Sequence, residues 1–272
     1  SAAALNVARS SAALLELAPT PVDPASGERH LPGSTATPWP TATPTLEPTA
    51  TPLPPTPTPT PLLFQPAQPT VLLAGLRHEW QTWNNCGPAT IAMNLSYFGS
   101  TIDQAQAGAV LRLSADDKNV SPYELVAYAQ QQGYVSQRLV NGSTDLARTL
   151  LSNGIPVLVE TWHEDGQNDG MGHYRLLVGY DDGSQTWTVY DSYDHTNLIS
   201  VEPYGGLRFS FGEMDNLWKV FNRAFVLAYP PDRAPVVDAI LGAYNVTPQT
   251  MYAAAAVEAQ AELTANPADA FA

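Results

Sequence analysis

Gln81-Thr82-Trp83-Asn84-Asn85-Cys86-Gly87-Pro88-Ala89-Thr90 holds the only cysteine in 272 residues. It leads into a helical pattern, Ala89–Phe98, in which Ile91, Leu95 and Phe98 share one face and Gly99 supplies a left-handed stop. One cysteine excludes an internal disulfide and a multi-cysteine metal site. A thiol at a helix start meets free backbone N–H groups and the positive end of the macrodipole, both of which favour the thiolate. A backbone amide at the same turn can donate to a developing oxyanion. Gln81 lies upstream with a side-chain amide of the right reach to be a second donor. In a cytosolic protein the bland reading, a small buried hydrophobe, would be the first choice for such a cysteine.

A thiolate nucleophile needs an imidazole to take and return its proton. Of the five histidines, His30 falls in the Pro-rich front, His78 precedes the glutamine, His163 ends a strand before an acidic Gly-containing loop, and His195 sits in an Asp/Tyr turn. His173 opens the strand pattern His173-Tyr174-Arg175-Leu176-Leu177-Val178-Gly179-Tyr180 and is held most rigidly. Asp181-Asp182-Gly183 then reads as a hairpin turn to Thr186–Tyr190, which brings Asp191 toward the start of the His173 strand. There Asp191 can accept from the second ring nitrogen and fix the tautomer. An aspartate in that role predicts that Asn lowers turnover and leaves folding stability nearly unchanged.

Around this constellation the periodicity changes once. Ser121-Pro122-Tyr123-Glu124 is a capping box with proline at the first helical position, opening a helix to Gln132 with Gly133 as stop; Thr144–Leu151 is another helix, closed by Asn153-Gly154. Ile155–Thr161, Tyr174–Tyr180, Thr186–Tyr190 and Ala224–Tyr229 are β-branched and aromatic strand runs. Helices followed by a mostly antiparallel sheet give an α+β class. The domain so defined spans 71–232. In front of it, 16 of the 25 prolines lie between Pro19 and Pro69, and Glu47 is the only charge from Pro38 to Thr70. Residues 1–70 therefore read as a disordered Thr/Pro-rich linker or stalk, with a marginal helix at Ala2–Leu17. Fully extended, residues 35–70 would reach about 110 Å. Behind the domain, 233–272 reads as a helical tail, Ala234–Ala243 and Pro248–Thr264, whose end resembles the junction opening a tetratricopeptide repeat and could serve a protein partner.

Three stretches carry a family resemblance: Gln81 to Ala89, the strand phrase Gly154-Ile155-Pro156-Val157-Leu158-Val159, and Gly172-His173-Tyr174 through Gly179-Tyr180-Asp181 to Val189-Tyr190-Asp191. Together they are similar, across roughly 71–230, to the bacteriocin-processing cysteine peptidases of peptidase family thirty-nine in the papain-like superfamily. More narrowly, they resemble its stand-alone extracytoplasmic branch. The resemblance implies a papain-like fold, Cys86 as nucleophile, His173 as base, Asp191 as orienting residue and Gln81 as oxyanion donor, with no cofactor. Two departures stand out. Ser192 occupies the position where the family usually has proline after the aspartate, and no transporter segment follows, so leader processing during export is not implied.

Charge narrows the partners. The net charge is −14, and Lys118 and Lys219 are the only lysines, which excludes phosphate neutralisation on nucleic acid. No apolar run is long enough for a membrane span. The partner expected is a peptide or protein substrate, in an extracytoplasmic setting where a lone thiol calls for a functional explanation. Glu160, Glu164, Asp165, Asp169, Asp181 and Asp182 against Arg175 predict that substrates are neutral or basic near the scissile bond. Trp80, Trp83, Trp162, Tyr174 and Tyr193 are candidates to line the groove. Competing readings are a binding module that keeps the papain-like shape without turnover and an amidase for cell-wall peptide stems.

Overall fold

Alternate residues of the central strands enter two different cores, and this organises the molecule. Val157 and Val159 pack with Leu177, Trp187 and Phe225 in one cluster, whereas Leu158 packs with Leu176, Val226 and Ala228 in the other. A sheet apolar on both faces must be covered on both, giving three layers. The computed structural model describes residues 64–114, 116–164, 170–193 and 204–269. The Ala2–Leu17 helix, the Thr/Pro stretch, His30, His195, Asp165 and Asp169 lie outside the described residues.

The first layer is helical: α1 (Cys86–Tyr97), α2 (Gln104–Leu111) and α3 (Pro122–Gln131). Helix α3 starts as its pattern predicts, with Ser121 and Glu124 forming a reciprocal capping box and Pro122 in the first turn. Helix α2 was not legible as a helix. Its sequence QAQAGAVL buries only Ala107 and Leu111, too few apolar positions to show a period, although Asp103 and Gln106 cap it in the same reciprocal way. Nearly all of α1 is buried, so it lacks the amphipathic contrast of a surface helix.

The sheet runs in the order β2-β7-β3-β4-β5-β6, every described pairing antiparallel, from β1 (Thr70–Leu72), β2 (Val135–Leu139), β3 (Val157–Glu164), β4 (Gly170–Asp181), β5 (Thr186–Asp191), β6 (Leu207–Ser210) and β7 (Phe225–Tyr229). Strand β1 pairs with the last three residues of β4, beyond the point where the pairing of β3 ends. Its backbone comes so close that a Cβ at Gly179 would lie 2.5 Å from the Val71 carbonyl oxygen, which is why that position is glycine. The chain before β1 already belongs to the fold, since the backbone amides of Gln65 and Gln68 donate to the Asn153 and Ser152 side chains. The α+β class holds.

The third layer is α4 (Thr144–Ser152), α5 (Phe211–Trp218), α6 (Ala234–Ala243) and α7 (Met251–Ala265). Val237, Ile240 and Leu241 of α6 join the same core as Leu146 and Leu150 of α4. Helix α7 buries only Met251 and is tied down by charge. Arg223 holds Asp215 at 2.6 Å and Glu262 at 2.5 Å, and Lys219 holds Asp269 at 2.5 Å. No described helix is long and apolar enough to cross a membrane.

Candidate active site

Cys86 is the first residue of α1. Asn84 before it is held in the left-handed region at φ 56, and Asn85 is anchored by its side chain to Gln104, with the Asn85 Nδ2 donating to the Gln104 Oε1 at 2.9 Å. The turn therefore presents the thiol at the start of a rigid, buried helix. Burial pushes the Cys86 thiol up. The hydrogen bond and charge of His173, with the backbone N–H groups of Tyr174 and Gly87, outweigh burial and bring it below its ordinary value.

His173 is buried in β4, and its Nε2 donates to the Asp191 Oδ1 at 2.7 Å, which leaves Nδ1 to face the thiol. Burial alone would lower its pKa. The charge and hydrogen bond of Asp191, with the contact to Cys86, raise it to about 9. The two shifts are opposite in sign, and both favour moving the proton from the thiol toward the imidazole.

Asp191 reaches that position through an irregularity in the hairpin. Between Gly179 and Asp181 the pairing to β5 follows one register, Gly179 with Thr188 and Asp181 with Thr186. Past a bulge between Leu177 and Gly179 it follows another, so that Asp191 pairs with Arg175. Without the bulge Asp191 would stand opposite Leu176 and point to the face away from His173, because a one-residue slip exchanges the two faces of a strand. The hairpin was legible in the sequence; the bulge that turns Asp191 toward His173 was not.

The pairing with Arg175 also reveals a group the sequence reading missed. Arg175 is almost fully buried, and its Nε donates to the Asp191 Oδ2 at 2.8 Å while its Nη1 reaches the Thr161 hydroxyl and the Trp162 carbonyl. The Tyr193 N–H donates to Asp191 Oδ1 at 2.9 Å. Burial raises the Asp191 carboxyl, but His173, Arg175 and this amide hold it far below the usual carboxylate range. A single arginine inside an apolar strand run was the available signal, since a buried guanidinium must find a carboxylate. Two further histidines surround the site. The His78 Nε2 lies 2.7 Å from the Asp191 carbonyl oxygen, and the His163 ring sits 5.3 Å from that of His173, with Nδ1 3.3 Å from the Arg175 Nη2.

Gln81 is brought to the same cleft by Ser192. Its backbone N–H donates to the Ser192 carbonyl at 2.7 Å, and its Oε1 accepts from the Ser192 hydroxyl at 2.9 Å. With the carbonyl end held, the Nε2 end remains for the cleft. The serine that stands where a proline was expected thus supplies a hydrogen bond that proline could not make. The cleft has a volume of about 520 Å³ and brings Gln81, Cys86 and His173 together with Trp83, Tyr174 and Tyr193. The other two aromatic candidates lie elsewhere: Trp80 packs on His78 and Tyr204, and Trp162 lies against Gly170. Of the acidic residues expected near the substrate, Glu160 lines the cleft, whereas Asp181 and Asp182 lie at the opposite end of β4 and Asp182 is paired with Arg148.

A model of the peptidase C39-like family matches residues 60–224. No curated protein sequence matches. Among solved structures, the chain is similar to a double-glycine-motif protease from an AMS/PCAT transporter in complex with the leader peptide, at 17% identity over 60% of this chain and 99% of that one, TM-score 0.41. It is similar to a C39-like peptidase from Bacillus anthracis, at 14% identity over 59% and 98%, TM-score 0.45. The peptidase domain of Streptococcus ComA gives 16% identity over 57% and 98%, TM-score 0.42.

Proposed function

Because this chain belongs to the peptidase C39-like family, we propose that it is an extracytoplasmic cysteine peptidase. In this reading Cys86 is the nucleophile, His173 the proton carrier, Asp191 the residue that orients His173, and Gln81 an oxyanion donor. The observation that carries the proposal is His173 hydrogen-bonded to Asp191 at 2.7 Å and drawing down the Cys86 thiol, with Cys86 and His173 both lining a cleft large enough for peptide side chains. The Thr/Pro-rich front and the lone thiol support the extracytoplasmic setting.

The steps follow from the charges. The Cys86 thiolate attacks the scissile carbonyl carbon, and the displaced electron pair moves to the oxygen, where the Gln81 Nε2 and the backbone N–H at the start of α1 receive it. The tetrahedral species collapses, the C–N bond breaks, and the leaving amine takes the proton from His173 Nδ1. Water then attacks the thioester, giving its proton to His173, and the second collapse releases the acid and the thiolate. Asp191 stays ionised throughout and keeps Nε2 protonated, so the nitrogen that exchanges protons always faces the sulfur.

The test is a peptidyl chloromethyl ketone followed by mass spectrometry. Stoichiometric labelling of Cys86, abolished in His173→Ala, together with hydrolysis of a labelled peptide that fails in Cys86→Ala, is the expected result. Labelling that is indifferent to His173, with no hydrolysis, would leave a papain-like binding module instead.

A further inference from the structure

We propose that Glu160 forms the floor of a cation-binding subsite in the cleft, which selects a substrate carrying an arginine or lysine side chain beside the scissile bond. The proposal rests on the cleft being the substrate groove and names the chemistry the groove accepts.

Glu160 lies in β3 opposite Tyr174 of β4, the residue that follows His173, and it lines the same cleft as Cys86. Its backbone N–H is satisfied by the Ala224 carbonyl, but none of the described residues hydrogen-bonds or ion-pairs with its carboxylate. Other carboxylates of the fold do find cations: Glu79 pairs with Arg77, Asp182 with Arg148, Asp215 with Arg223. The cation closest in effect to Glu160 is Arg138 of β2, and its guanidinium is turned to the Tyr252 and Tyr123 hydroxyls, at 3.3 and 3.5 Å. A half-buried carboxylate without a partner is an unfavourable arrangement that an incoming guanidinium or ammonium relieves.

The walls fit the rest of such a side chain. Phe221, Tyr174, Pro122 and Met171 line the cleft beside Glu160 and offer apolar surface to an alkyl stem. Gly172 keeps the way open, because a Cβ there would stand 3.2 Å from the Phe221 ring and 3.8 Å from the Glu160 Oε1. Burial pushes the Glu160 carboxyl up to about 7, with Arg138 opposing the rise. The charged and titratable groups around it are Arg138 from β2, His163 from β3, Tyr174 and His173 from β4, Tyr193 after β5, Cys86 from α1, Glu124 from α3 and exposed Lys118 at the mouth. A bound cation favours the ionised form, so affinity for a basic side chain is greatest above about pH 7 and falls as Glu160 takes up a proton below it.

The experiment measures binding, so that it does not depend on turnover. Fluorescent peptides that differ only by arginine or its uncharged isostere citrulline at each position are titrated against the full chain carrying Cys86→Ala. At one position arginine should bind about tenfold or more tightly, the scale of one charge-assisted hydrogen bond. Glu160→Gln should remove that difference. In the protein that keeps Glu160, the same difference should shrink between pH 8 and pH 6, a readout that needs no substitution at Glu160. No arginine preference at any position, or one that survives Glu160→Gln or is constant with pH, overturns the subsite. An arginine preference carried by Glu160 in a protein that hydrolyses nothing would instead overturn the peptidase and keep the subsite.

Discussion

Replacing Asp191 with asparagine separates two roles that the geometry gives this residue. Its Oδ1 accepts from His173 Nε2 and the Tyr193 N–H, and its Oδ2 accepts from Arg175 Nε. Asparagine has one carbonyl oxygen. If that oxygen keeps His173, the amide NH₂ is aimed at the Arg175 Nε–H, and a buried guanidinium loses its carboxylate. Removing one partner of a buried ion pair costs about 3–5 kcal/mol, and the low end applies because Arg175 keeps Thr161 and the Trp162 carbonyl. At roughly 2–4 °C per kcal/mol for a fold of this size, the melting temperature should drop by about 6–12 °C. The expectation from sequence alone, that stability would hardly change, is therefore replaced. The Asp191 charge is also the largest upward influence on His173, so its loss lowers the His173 pKa from about 9. The imidazolium then disappears at a lower pH, and the alkaline limb of the hydrolysis profile should move down with it, with turnover reduced about tenfold or more. Urea denaturation at pH 7 and a pH–rate profile read both effects. The double variant Asp191→Asn/Arg175→Met should recover at least about 1 kcal/mol, since no cation is left stranded. A single variant within 1 kcal/mol of the parent, with its alkaline limb still near 9, would refute the reasoning.

Gln81→Ala should lose about 2.7–4 kcal/mol of transition-state stabilisation, seen mainly in kcat. Ser192→Ala should lose less, about tenfold, because the Gln81 amide remains but is no longer held by its carbonyl end; equal kcat in both variants and the parent would remove Gln81 from the chemistry. Gly179→Ala forces a Cβ to 2.5 Å from the Val71 carbonyl and 3.0 Å from the Leu72 Cα, so it should destabilise by about 1–3 kcal/mol while leaving the alkylation rate of Cys86 intact. An unchanged melting temperature would mean that β1 does not pack on β4 as described.

The parts legible in the sequence were those decided within a few residues. The Ser121 capping box, the glycine stops at Gly99 and Gly133, the placement of Cys86 at a helix start and the strand bearing His173 all depend on local chemistry, and each stands in the fold. What escaped depends on partners distant in the chain. Strands β2 and β6 and helix α2 carry few apolar residues and are defined by what they pair with or cap. Arg175 was visible but read only as one charge against six, because its carboxylate lies on the neighbouring strand and its alignment with that carboxylate depends on the bulge near Val178. Ser192 looked like a departure from a pattern until Gln81 was found hydrogen-bonded to it.

The central claim is that Cys86 and His173 share a proton as a thiolate–imidazolium pair, and the pH dependence of Cys86 alkylation by iodoacetamide tests it most directly. The thiol is drawn below its ordinary value and the imidazole is raised to about 9, so the parent protein should alkylate faster at pH 6 than a free thiol, which is still protonated there. In His173→Ala only burial and the backbone amides remain, and the alkylation curve should move to or above the ordinary thiol value of about 8.5. Coincident curves for the two proteins, both titrating near or above 8.5, would contradict the account.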